Sequence, residues 1–135
     1  MNAGKEAPAN RIWPWSPGRR PDLPSFSGYY SGRRGAIISA VDVIKGIGKC
    51  TKMTVIEVPG ATGFIDTNYD GKVKAALAAL VDHDLVYLHV EAIDECSHLG
   101  DLKLKMQAIG DFDSKIVAPV LKALEAKPLN SAVLP

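Results

Sequence analysis

"VYLHVEAIDECSHLGD", residues 86–101, begins as one kind of element and ends as another. Val86, Tyr87, Leu88 and Val90 have the apolar, β-branched and aromatic make-up of a buried strand. Glu91, Asp94, Glu95, His98 and Asp101 follow at once, with Cys96 among them, and every one of these side chains can ligate a cation. In open α/β sheets, ligands bind in the loops beyond the carboxyl ends of the strands. A buried strand that releases its ionisable groups at that end therefore points to this class of fold.

The same alternation recurs upstream. "AIISA", residues 36–40, reads as a short buried strand, and "VDVIKGIGKC", residues 41–50, as a helix cut short by its glycines. "TVIEV", residues 54–58, is a second β-branched strand that stops at Pro59 and opens the loop "PGATGFIDTNYDGK". Val73, Ala76, Leu77, Leu80 and Val81 then share one helical face, which predicts a helix over 72–82. Asp66, Thr67 and Asn68 are candidate caps, which puts the start of this helix near Tyr69. "LVYLHV", residues 85–90, is the third strand. His89 within it is expected to be a satisfied core histidine or one that supports the ligand residues from behind, and His83 before it a surface one. Downstream, Leu102, Met106, Ile109, Phe112, Ile116, Val120 and Leu124 form one apolar stripe, expected as a single long helix kinked by Pro119. "SAVLP", residues 131–135, is expected to start a fourth strand.

Strands alternating with helices predict βαβ units, hence a three-layer α/β/α domain with a mostly parallel sheet covered on both faces. Its ligand edge would gather three segments: Asp42–Gly48, "PGATGFIDTN" and "EAIDECSH".

A chain of 135 residues, 47% apolar and 23% charged, is ordinary for one soluble domain. Cys50 and Cys96 show no CxxC spacing, so a disulfide framework is not expected and a reducing cytoplasm is the default. No leader peptide, membrane span or membrane partner is expected, since the apolar runs are too short. Residues 1–35 carry six basic against two acidic side chains, a net +4, which leaves −3 for the rest of a chain of net +1. Five prolines and five glycines in that segment exclude a helix or a central strand. It reads as a Pro/Gly-rich basic linker arriving from elsewhere, with Trp13, Trp15, Phe26, Tyr29 and Tyr30 expected to pack against something. Residues 36–135 form the α/β domain. "RIWPW" and "GRRP" could stack on bases and contact phosphates, but +4 over 35 residues is modest and no nucleic-acid partner is expected.

Asp94 and His98 are four residues apart, so on a helix both project from one face and can reach a common divalent cation. The plainer reading is a capping aspartate and a half-exposed histidine. Glu91 and Glu95 compete as further ligands, with Glu95 expected to face solvent and Cys96 to be a small buried residue turned away.

"HVEAIDECSHLGDLKLKMQAIGDFD" resembles the DxxxH-bearing motif of archaeal-type, cofactor-independent phosphoglycerate mutases, members of the alkaline phosphatase superfamily. "GAIISAVDVIKGIGKCTKMTVIEVPGATGFIDTNYDGKVKAAL" is similar to the preceding stretch of that family. "NRIWPWSPGRRP" resembles its return from an inserted lid domain, although "WSPG" departs from the usual Trp-Gly-x-Gly form.

The resemblance implies an isomerase of glycolysis and gluconeogenesis that interconverts 2- and 3-phosphoglycerate through a phosphoserine. It also implies two divalent cations, manganese or magnesium, that lower the serine's pKa and neutralise charge on the transferring group. Carried over, Asp94 and His98 match the pair holding one cation, and Lys45 in "VDVIKGIG" matches a lysine near the substrate phosphate. Read from the residues alone, Lys45 serves equally well as a solvated helix lysine. The family's nucleophilic serine, its N-terminal metal-binding aspartate, its lid and the Asp-His pair expected just after "AVLP" have no counterpart here. The chain is therefore expected to be a C-terminal portion of an alkaline-phosphatase-like domain, inactive alone and with no nucleophile of its own. The alternatives are a homoserine-kinase-like paralogue, whose distinguishing residues would lie in the lid, and a non-catalytic module that self-associates into a homo-oligomer through exposed sheet edges.

Overall fold

A computed structural model describes residues 11–126. Three parallel strands, β1 (Gly35–Ile38), β2 (Thr54–Ile56) and β3 (Leu85–Leu88), form a sheet in the order β2-β1-β3. β1 is the centre and is buried along its whole length. The register sets Ile37 beside Val55 and Tyr87, and Ile38 beside Ile56 and Leu88. Asp84 clamps the start of β3 to that of β1, its Oδ2 accepting the Arg34 backbone N–H at 2.7 Å.

The helices are α1 (Phe26–Tyr29, one turn), α2 (Asp42–Cys50), α3 (Tyr69–Ala79), α4 (Ala92–His98), α5 (Leu102–Phe112) and α6 (Ala118–Glu125). α1 lies in the segment where no helix is expected, a single turn clear of the prolines and capped by Ser25, which accepts the Gly28 N–H. α2 runs straight through Gly46 and Gly48, which do not cut it short as expected. Gly48 instead permits close packing, for a Cβ there would stand 2.7 Å from Ile37 Cγ2 and 3.2 Å from Val55 Cγ2. α2 thus covers the sheet face bearing Ile37. The opposite face, carrying Leu88, is covered by α3 and the C-terminal helices, whose core is Tyr69, Val73 and Ile116 with Leu77, Leu88, Val90, Phe112 and Val120 packed around it.

α3 begins at Tyr69, as expected, where Asn68 caps it by accepting the Gly71 N–H at 2.9 Å. Several other expectations need correction. The sheet is covered on both faces only near β1. Over β3 the α2 side is open among the described residues, leaving Leu85 and Tyr87 39% and 47% exposed. The long C-terminal helix is continuous as expected, but a π-helical turn at Asp113–Val117, just ahead of Pro119, divides it into α5 and α6. Pro119 lacks an N–H, and widening the preceding turn accommodates the lost bond. Its apolar stripe is not continuously buried: Leu102, Met106 and Ile109 face outward while Ile116 is in the core.

Of the aromatic residues in the linker, Phe26 is the one that anchors it. Its backbone N–H donates to Thr51 O at 2.7 Å, its ring packs at a tilt against Tyr30 with centroids 4.7 Å apart, and it lies against Gly35. Trp13 and Trp15 are exposed. The fourth strand expected at 131–135 lies outside the described residues.

Candidate metal centre

The parallel sheet brings three chain turns to one edge. Ser39 and the first turn of α2 follow β1, Glu57 and the 59–68 loop follow β2, and His89 to His98 follow β3. Because β1 lies between its neighbours, the α2 turn occupies the middle of this edge.

α4 carries the densest group. Glu91 is its N-cap residue and makes no capping hydrogen bond, so its carboxylate stays available. Asp94 and Glu95 occupy the first turn, where the helix dipole favours negative charge. Asp94 Oδ2 stands 3.2 Å from His98 Nε2, one turn further on, and both side chains are largely exposed. Glu91, Asp94 and Glu95 each place a carboxylate oxygen within 4.8 Å of the others. Glu95, expected to face solvent alone, belongs to this group. The i, i+3, i+4 spacing of residues 91, 94 and 95 explains why one helix face gathers these three, with His98 joining Asp94 one turn further on.

A carboxylate oxygen and an imidazole nitrogen already in contact are suitable donors for a divalent cation of the manganese, iron or zinc type. The donor set fits such an ion, with Asp94 common to the histidine pair and to the acidic group. Cys96 is fully buried on the other side of the helix, as expected. Asp101 is committed elsewhere, capping α5 by accepting the Leu104 N–H at 2.9 Å.

Lys45 lies in α2 with its ammonium 3.0 Å from Asp42 and 3.7 Å from Glu57. The hydrogen bond to Asp42, more than the opposing burial, raises its pKa above the usual lysine value. It is a cation held on the β2 side of the edge by two acids.

The loop between β2 and α3 is stiffened internally. Thr62 donates its hydroxyl to Asp66 at 2.7 Å and its backbone N–H to Thr67 Oγ1 at 3.0 Å, and Asn68 Nδ2 donates to Pro59 O at 2.8 Å. Of the three candidate caps only Asn68 caps α3. The other two hold the loop.

Two features escaped the sequence reading. His83 is half-buried rather than superficial, with Nδ1 3.0 Å from Ala79 O and Nε2 2.9 Å from Thr54 Oγ1, which ties the end of α3 to β2. Lys72 is 1% exposed, its Nζ donating to His89 O at 3.3 Å and to Thr62 O at 3.5 Å. Burial lowers its pKa below the usual lysine value, against the opposing pull of Glu91. A signal for it existed: Lys72 shares the helical face of Ala76 and Ala79, both buried. His89, expected as a satisfied core residue, is half-buried, with Nδ1 3.2 Å from Ser39 Oγ.

Residues 1–134 match the family described as the Metalloenzyme superfamily, and the chain belongs to it. The relatives narrow the comparison. The chain is 55% identical over 127 residues to the 2,3-bisphosphoglycerate-independent phosphoglycerate mutase of Methanosarcina acetivorans, covering 94% of this chain and 32% of that protein. It is 56% identical over 118 residues to the enzyme of the same name from Methanothrix thermoacetophila, covering 87% and 30%. Among solved structures, the PH0037 protein from Pyrococcus horikoshii superposes with a TM-score of 0.69 at 30% identity, over 73% of this chain and 29% of that one. The α/β architecture is thus shared with a known fold. The chain spans about a third of the length of the curated relatives it matches.

Proposed function

We propose that this chain is the portion of a metal-dependent phosphoglycerate mutase that holds one divalent cation through Asp94 and His98. The observation that carries the reading is the 3.2 Å approach of Asp94 Oδ2 to His98 Nε2 on a helix at the ligand edge of a parallel sheet. It is supported by membership of a metalloenzyme family and by relatives named as phosphoglycerate mutases. Bound there, a cation would withdraw charge from a phosphoryl group in transfer. Asp94 and His98 orient that charge. Lys45, a permanent cation on the same edge, serves the substrate phosphate once Asp42 and Glu57 share it with the ligand. The serine that takes up the phosphoryl group between 2- and 3-phosphoglycerate is assigned to the part of the relatives that this chain does not span. Manganese or magnesium is the cation expected, two per complete enzyme, in a cytoplasmic setting.

A chimera tests this directly. Replacing the matching third of the Methanosarcina acetivorans enzyme by this chain should give a protein that isomerises phosphoglycerate in a coupled assay with Mn²⁺. Asp94→Asn in the chimera should remove that turnover, and the 135-residue chain alone should show none. Turnover retained in the Asp94→Asn chimera, or shown by the chain alone, would refute the assignment.

A further inference from the structure

Lys72 is the most deeply buried charge among the described residues, and no carboxylate there pairs with it directly. Burying an ammonium carries a substantial desolvation cost, which loop packing alone does not require. Its two acceptors lie in segments that meet at the metal-bearing corner: the carbonyl of His89, at the end of β3, and that of Thr62, in the 59–68 loop.

His89 is in turn fixed on two further sides. Its N–H donates to Ile38 O at 2.8 Å, and its Nδ1 meets Ser39 Oγ, which also accepts the Val41 N–H at 2.9 Å. Two residues beyond His89 the chain enters Glu91, whose carboxylate bears on Lys72 electrostatically and lies against Gly63, where a Cβ would come within 3.2 Å of Oε2. Asp94 and His98 follow on the same helix.

We infer that Lys72 is a positioning residue for the metal centre: its buried ammonium locks the β3–α4 corner to the 59–68 loop and thereby sets where α4 presents Asp94 and His98. The inference rests on the metal reading above and names a part of that site that no ligand-spacing pattern contains. Outer residues that orient metal ligands typically cost ten- to a hundredfold in metal affinity when removed. Lys72, one step further out, falls at the lower end of that range.

The test is Mn²⁺ titration of the chain followed by electron paramagnetic resonance, with folding checked by circular dichroism. Lys72→Met should weaken Mn²⁺ binding about tenfold. Val73→Ala, a core truncation at the neighbouring position of α3, should lower the melting temperature but leave Mn²⁺ affinity within about twofold, which separates positioning from general loosening. Unchanged affinity in Lys72→Met, or an equal loss in Val73→Ala, would overturn the inference while leaving the metal site standing. Absence of Mn²⁺ binding by the unsubstituted chain would instead overturn the metal reading itself. Should Lys72→Met fail to fold, hydrogen exchange on the unsubstituted chain decides. Mn²⁺ should slow exchange in the 59–68 loop together with α4, and slowing confined to α4 would contradict the linkage.

Discussion

Asp84 shows how single residues join strands that lie far apart in sequence. Its carboxyl is held below the usual carboxylate range, chiefly by the Arg34 backbone N–H, which outweighs the opposing desolvation, with the charge of Arg33 adding a lesser pull in the same direction. A carboxyl with a lowered folded-state pKa stabilises the fold above its unfolded value and loses that contribution as pH falls through the folded value. Asp84→Ala should therefore lower the melting temperature near neutral pH, and the gap from the unsubstituted chain should close as pH falls below about 4. A gap that stays constant down to about pH 3 would show that charge plays no part. At this scale Asp94 and His98 were legible because helical spacing alone puts them on one face. Lys72 was not, since a lysine in a polar stretch reads as solvated unless the buried alanines four and seven positions on are allowed to outweigh its charge.

The elements were more legible than their ends. All three strands stand where β-branched runs predicted them, yet β2 stops at Ile56 and β3 at Leu88, each two residues short of its apolar run. Pairing with β1, which itself ends at Ile38, limits both lengths, and a periodicity reading contains no partner length. The C-terminal stripe misled for another reason: apolar period cannot tell a helix buried by its own chain from one left bare. α5 is instead defined by its start, where Asp101 caps it. Asp101→Ala should cost about 1 kcal/mol in chemical unfolding, as expected for loss of an N-cap side chain. A change below about 0.3 kcal/mol would mean that the cap is dispensable because α5 is held from its other end.

For the molecule as a whole, the charge-bearing corner and the uncovered apolar surfaces lie within one small sheet. Leu85 and Tyr87 on β3, with Leu99, Leu102 and Met106 on and before α5, stay exposed in a chain that spans about a third of its curated relatives. Fold class and the turn that brings Asp94 and His98 together could be read from residues 86–101, because ionisable groups crowding the carboxyl end of a strand are the mark of an open α/β sheet. What covers the open face could not, since no residue in a sequence names its distant neighbour. That α4 holds a divalent cation is measured most directly by Mn²⁺ binding to the 135-residue chain. With few protein ligands the dissociation constant should lie on the order of 10⁻⁴–10⁻³ M, and replacing Asp94 by Asn and His98 by Ala together should abolish binding. Equal Mn²⁺ binding by the doubly substituted and unsubstituted chains would contradict it.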